Sequence, residues 1–117
     1  MGRLSTHVLD TSAGGPAEGV AWTLYRVEGN ARTELSSGQT NSDGRTDSAL
    51  LEGESIQVGT YELVFQVADY FRALGTPVSD PPFLDEIPLR FAIFDADQNY
   101  HVPLLVSPYS YSTYRGS

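Results

Sequence analysis

The chain has 117 residues and a net charge of −8; its seven basic residues are all arginine, and it has no cysteine. Thiolate chemistry, a disulfide framework, a cysteine zinc site and a lysine Schiff base are thereby excluded, and scattered arginines on an acidic chain make no nucleic-acid partner. Only two histidines remain, His7 and His101, so acid–base chemistry near neutral pH falls first on them.

In chain order, Leu4-Ser5-Thr6-His7-Val8-Leu9-Asp10 has the pattern of a strand, with Ser5, His7 and Leu9 on one face and Thr6, Val8 and Asp10 on the other. After the turn residues Gly14-Gly15-Pro16, strands are expected over Val20 to Val27 and, in more polar form, over Thr33 to Gln39. Glu28-Gly29-Asn30 and Asn41-Ser42-Asp43-Gly44 supply further turns, and Arg45 follows the second of these. An arginine there is usually a solvated charge. Asn41 and Asp43 hint at a calcium loop, but the remaining ligands and a distal glutamate are missing, so no metal is expected.

Tyr61, Leu63, Phe65 and Val67 alternate with Thr60, Glu62, Val64 and Gln66, the period of a half-buried strand. Asp69 to Gly75 breaks that pattern, with an aspartate placed to cap, apolar residues at helical spacing and a terminating glycine, which predicts one short helix. Ser79 to Pro88 reads as a proline-rich loop, and Leu89, Phe91 and Ile93 as the apolar face of another strand. In Tyr100 to Ser107, Tyr100, Val102, Leu104 and Val106 make a core face, which turns His101, Pro103, Leu105 and Ser107 outward. An outward face that is partly apolar points to a ligand cleft or a subunit interface; the plainer alternative is a solvated histidine on a strand exterior. The tail from Tyr109 to Ser117 is rich in tyrosine, which predicts a C-terminus packed in place. No Gly-x-Ser-x-Gly elbow exists, so a serine nucleophile has no support from motif.

Short strands with regular turns and one helix predict an all-β sandwich or barrel, formed as a single domain over 1–117. No apolar run approaches the ~20 residues that span a bilayer, so no membrane partner is expected. Met1 to Ser5 has no signal-peptide core, and the cytoplasm is the expected compartment.

Three segments carry a resemblance. Leu4-Ser5-Thr6-His7-Val8-Leu9-Asp10 through Gly15-Pro16-Ala17, Thr40-Asn41-Ser42-Asp43-Gly44-Arg45, and His101-Val102-Pro103-Leu104-Leu105 through Tyr114-Arg115-Gly116-Ser117 resemble the signatures of the 5-hydroxyisourate hydrolases, or transthyretin-related proteins. Asn99, Ser110 and the Asp80-to-Pro88 loop depart from the usual pattern. The resemblance implies a transthyretin-like sandwich of two four-stranded sheets with one short helix near 69–75. It implies a homotetramer with sites between dimers, and hydrolysis of 5-hydroxyisourate without cofactor or metal. Carried over residue by residue, the catalytic set is His7, Arg45, His101 and Ser117, and the substrate-binding set is His7, Arg45, Tyr114, Arg115 and Gly116. In that chemistry the histidines would activate water and move protons while Arg45 orients substrate and meets the oxyanion. A non-catalytic prealbumin-like module and a small-molecule carrier are the alternatives; neither needs both histidines and the Tyr114 to Ser117 end.

Overall fold

The computed structural model describes residues 1–116. The first strands are β1 (Arg3–Ser5), β2 (Val8–Asp10), β3 (Gly15–Pro16), β4 (Ala21–Glu28), β5 (Ala31–Gln39) and β6 (Leu51–Glu52). They are followed by β7 (Gly59–Gln66), the helix α1 (Val67–Leu74), β8 (Glu86–Ile93), β9 (Asn99–His101), β10 (Leu104–Ser107) and β11 (Ser110–Ser112). One sheet has the order β5-β4-β7-β8 and is antiparallel throughout. The opposing layer consists of a four-stranded sheet, β11-β10-β2-β3, and a three-stranded one, β6-β1-β9. The two expected four-stranded sheets are present, and the three-stranded sheet is additional.

Alternation along the strands builds a single core cluster between the layers. Leu24, Leu63 and Phe65 from one layer and Leu4, Val8, Leu104 and Val106 from the other are fully buried. Each such side chain contributes roughly 1.5–3 kcal/mol by leaving water. β7 differs from its expected half-buried pattern. It lies between β4 and β8, and its outer face is covered as well, so that Glu62 and Val64 are buried beside Tyr61, Leu63 and Phe65.

The strand expected over Tyr100 to Ser107 is divided. Pro103 has no N–H to give a ladder, and β9 stops two residues before it. The facing run is divided at Thr6, whose buried hydroxyl donates to the Val102 carbonyl at 2.7 Å. Val102 N–H donates to Ser5 O and Leu104 N–H to His7 O, each at 2.9 Å, so the backbone stays paired through the step from one sheet to the other. The predicted faces survive the break except at Pro103. Tyr100, Val102, Leu104 and Val106 are buried and His101, Leu105 and Ser107 are half-buried on the outside, whereas Pro103, expected on the outer face, is buried where the strand is interrupted.

The helix begins two residues earlier than its expected start. Gln66 occupies the cap position, and Asp69 lies in the first turn, where its charge favours the helix dipole without capping it. Gly75 closes the helix at φ +81°, as its position predicted. The helix is tied to β2 by Tyr70, whose hydroxyl donates to the fully buried Asp10 at 2.9 Å. Burial, with the Asp10 carboxylate, pushes the Tyr70 phenol up to about 12. Among the described residues no helix is long and apolar enough to cross a membrane.

Candidate active site

The step between the two small sheets places His7 opposite Arg45, paired through an isolated antiparallel bridge. The Asn41-to-Gly44 turn makes this approach possible. Asn41 Oδ1 accepts from the Asp43 and Arg45 N–H groups at 2.9 and 3.1 Å. Gly44 N–H donates to Asn41 O at 2.9 Å, and Val8 N–H donates to Gly44 O at 2.7 Å. Gly44 has φ +74°, and a Cβ there would run into the Val8 carbonyl oxygen. A side chain at this position would push the turn, and Arg45 with it, off the histidine strand. The segment that looked like a fragment of a calcium loop is an Asx-braced turn that aims an arginine.

His101 ends β9 and is held from several directions. It pairs with Ser5 in the parallel β1–β9 register, and the Ser5 hydroxyl lies 2.9 Å from Nδ1. Gly116 pairs with it from the tail: His101 N–H donates to Gly116 O at 3.2 Å and Gly116 N–H to His101 O at 2.7 Å. A Cβ on Gly116 would sit 3.1 Å from His101 Cβ and 3.2 Å from Cδ2, so a side chain there would displace the ring by a few tenths of an ångström, and glycine lets the tail lie flat against it. Burial, then the nearby charges of Arg45 and His7, hold the His101 imidazole below its ordinary value of 6.5. The ring is therefore neutral at pH 7 and free to accept a proton.

Arg45 and His101 share the wall of an open cleft of about 550 Å³, together with Arg3, Ser5, Asp47 and Asn99. Its side chains are mostly polar. Two arginines against one carboxylate give it local positive charge on a chain whose net charge is −8. Asp47 accepts from Asn41 Nδ2 at 3.0 Å, and among the described residues Arg45 has no carboxylate partner. A bidentate donor without a partner suits a planar, carbonyl-rich anion. The described residues hold no group of three or more side chains able to ligate a metal.

The tail divides the remaining expected site residues. Tyr114 and Arg115 face a second, more apolar cavity of about 340 Å³ beside Phe91, Tyr100 and Tyr111, and do not reach the cleft. The Arg115 guanidinium donates to Gln98 Oε1 at 2.8 Å and Asn99 O at 3.1 Å, and stacks 4.7 Å from the Tyr100 ring. Tyr109, Tyr111 and Tyr114 are exposed, so the tail is fixed by backbone pairing and Arg115 rather than by burying tyrosines. Ser117 lies outside the described residues. Sequence reasoning placed Ser5 on the His7 face but did not connect it to His101, because the pairing of β1 with β9 is a long-range contact. Arg3 and Asp47 were missed; Arg3 carried a signal, sharing the Ser5 face at strand spacing.

The comparisons fit this geometry. The profile of the HIUase/Transthyretin family matches residues 4–116. A 5-hydroxyisourate hydrolase 2 from Rhizobium meliloti (strain 1021) is 60% identical over 116 residues, covering 99% of this chain and 97% of the relative. The structure of a Klebsiella pneumoniae 5-hydroxyisourate hydrolase superposes with a TM-score of 0.81 at 34% identity, over 100% of both chains. That of an (S)-allantoin synthase superposes with a TM-score of 0.94 at 48% identity over 99% of this chain, which spans 44% of that longer one. The matched segments contain both histidines, the Arg45 turn and the tail glycine, and the chain belongs to the HIUase/transthyretin family.

Proposed function

We propose that this protein hydrolyses 5-hydroxyisourate, opening its six-membered ring to 2-oxo-4-hydroxy-4-carboxy-5-ureidoimidazoline in urate degradation. One observation carries the reading beyond its relatives' names: a neutral, half-buried His101 shares a cleft wall with Arg45, which has no carboxylate partner among the described residues.

Hydrolysis of a cyclic amide needs water to attack a carbonyl carbon while a base removes its proton. His101 is the base in this reading, worth ~10²–10⁴-fold. Arg45 grips the substrate and meets the negative charge that develops on the carbonyl oxygen. The C–N bond then breaks, and the ring nitrogen leaves with the proton that the imidazole took from water. His7, bridged to Arg45, fixes that arginine's backbone and helps to keep the neighbouring imidazole neutral. Arg115 and Gly116 contribute by seating the tail against His101; their contacts support holding rather than direct binding of substrate.

The same reading takes residues 1–117 as one domain, supported by a single core cluster. It takes the assembly as a homotetramer, supported by Leu9 and Leu105 half-exposed on the face that carries the histidines. The cytoplasm is its compartment, where a chain without cysteine is at home. Generating 5-hydroxyisourate with urate oxidase and following its ultraviolet decay tests the activity. Catalysed decay is expected, whereas a rate equal to the spontaneous one returns the chain to the carrier or binding-module class.

A further inference from the structure

Among the described residues, Ser5 is the side chain within hydrogen-bonding distance of the His101 ring, its Oγ 2.9 Å from Nδ1. Strand register sets this contact. Ser5 and His101 are partners in the parallel β1–β9 pair, so both side chains leave the same face side by side. The backbone beneath them is fixed as well, because Ser5 O accepts from Val102 N–H and Gly116 bonds both backbone groups of His101.

A hydroxyl beside a neutral imidazole can accept from Nδ1–H or donate to a bare Nδ1. The first arrangement leaves the lone pair on Nε2. The second puts the hydrogen on Nε2 and makes it useless as a base there. We propose that Ser5 is a positioning residue for the hydrolysis, whose Oγ accepts from Nδ1–H, holds His101 in the tautomer with a basic Nε2 and fixes the ring against the cleft. This rests on the hydrolase reading above.

Protons balance in this arrangement. Nε2 takes one proton from water as the water oxygen bonds to the carbonyl carbon, and Nδ1–H stays on Ser5. The same proton passes to the departing ring nitrogen as the C–N bond breaks. The imidazole returns to its starting tautomer, and Ser5 exchanges nothing. A carboxylate at this position would also orient the ring, but it would raise its pKa. Among the described residues, the titratable and charged groups facing His101 are Arg3 on β1, His7 after it, and Arg45 with Asp47 on the loop before β6. With a neutral serine in place, Arg3 and Arg45 outweigh Asp47 among the described residues of the cleft, and the imidazole keeps its uncharged form at pH 7. Attack by Ser5 itself as a nucleophile would require the opposite tautomer, with the hydroxyl donating to Nδ1.

Nitrogen-15 NMR of the substrate-free protein, with His101 assigned by its loss in His101→Asn, reads the tautomer directly. Hydrogen on Nδ1 and a bare Nε2 are expected. Ser5→Ala should shift the population toward Nε2–H and lower kcat roughly 10- to 100-fold, with a smaller change in KM. Ser5→Thr should restore both tautomer and kcat. Ser5→Asp should move the acid limb of kcat to higher pH. Hydrogen on Nε2 in the unmodified protein, or a Ser5→Ala variant with unaltered tautomer and kcat, would overturn the proposal. Because the tautomer is read without substrate, absence of turnover in the unmodified protein strikes the hydrolase reading and is told apart from failure of the Ser5 contact.

Discussion

The two layers of the sandwich each carry charge on their outer side, and they treat it in opposite ways. On the β5-β4-β7-β8 sheet, Glu62 is buried between two arginines, with Arg32 Nη1 at 2.8 Å from Oε1 and Arg90 Nη2 at 3.1 Å from Oε2. Arg32 also lies 4.1 Å from the Tyr25 ring. Both of these guanidiniums have a carboxylate acceptor within the fold. Across the molecule, Arg45 has no carboxylate among the described residues, and His101 is held neutral by burial first and then by its neighbours Arg45 and His7. The first arrangement spends its electrostatics on holding three strands together. The second leaves a cation and a base available to something outside the chain.

That contrast can be broken by mutation. His101→Asn should lower kcat by two to four orders of magnitude, about the worth of a general base, with the fold intact by circular dichroism. Arg45→Ala should cost kcat/KM about 10²–10³-fold, and Arg45→Lys less, since a lysine keeps the charge but loses the fork. Gly116→Ala should reduce kcat about tenfold with little change in melting temperature, because its Cβ would press on His101, at 3.1 Å from Cβ and 3.2 Å from the ring's Cδ2. Glu62→Gln inverts the pattern: steady-state kcat should stay unchanged while chemical denaturation shows a loss of about 1–3 kcal/mol, moderated because both arginines are half-exposed. The smallest effect is in stability against pH. His101 has a lowered pKa when folded, so its contribution is present above the unfolded value of 6.5 and is lost as pH falls below it. The native protein should therefore lose stability relative to His101→Asn between neutral and mildly acidic pH.

The fold was legible wherever a residue's role depends on its immediate neighbours. Alternation placed His7 and His101 on outer faces, and Gly75 marked the end of the helix. The Gly44 turn was marked as a turn, but its partner across space was not, since its bridge joins residues 7 and 45. Division of the long strands at Thr6 and Pro103 was hidden for a similar reason. Pro103 could have signalled it, while the Thr6 hydroxyl that compensates at Val102 is 96 residues away in sequence. Burial of Glu62 depended on arginines from β5 and β8, which periodicity cannot bring together. Of the site, His7, Arg45 and His101 came from motifs. The placing of Arg45 and His101 on one cleft wall came from the structure, and the Ser5 contact from strand register alone.

The most direct test of the contrast is the pH dependence of kcat/KM for 5-hydroxyisourate, corrected for the substrate's own ionisation. A base kept neutral by burial, Arg45 and His7 predicts full activity at pH 7 and an acid limb with an apparent pKa below 6.5. An acid limb at or above 6.5, or one unchanged in His101→Asn, would contradict the assignment of His101 as the neutral base.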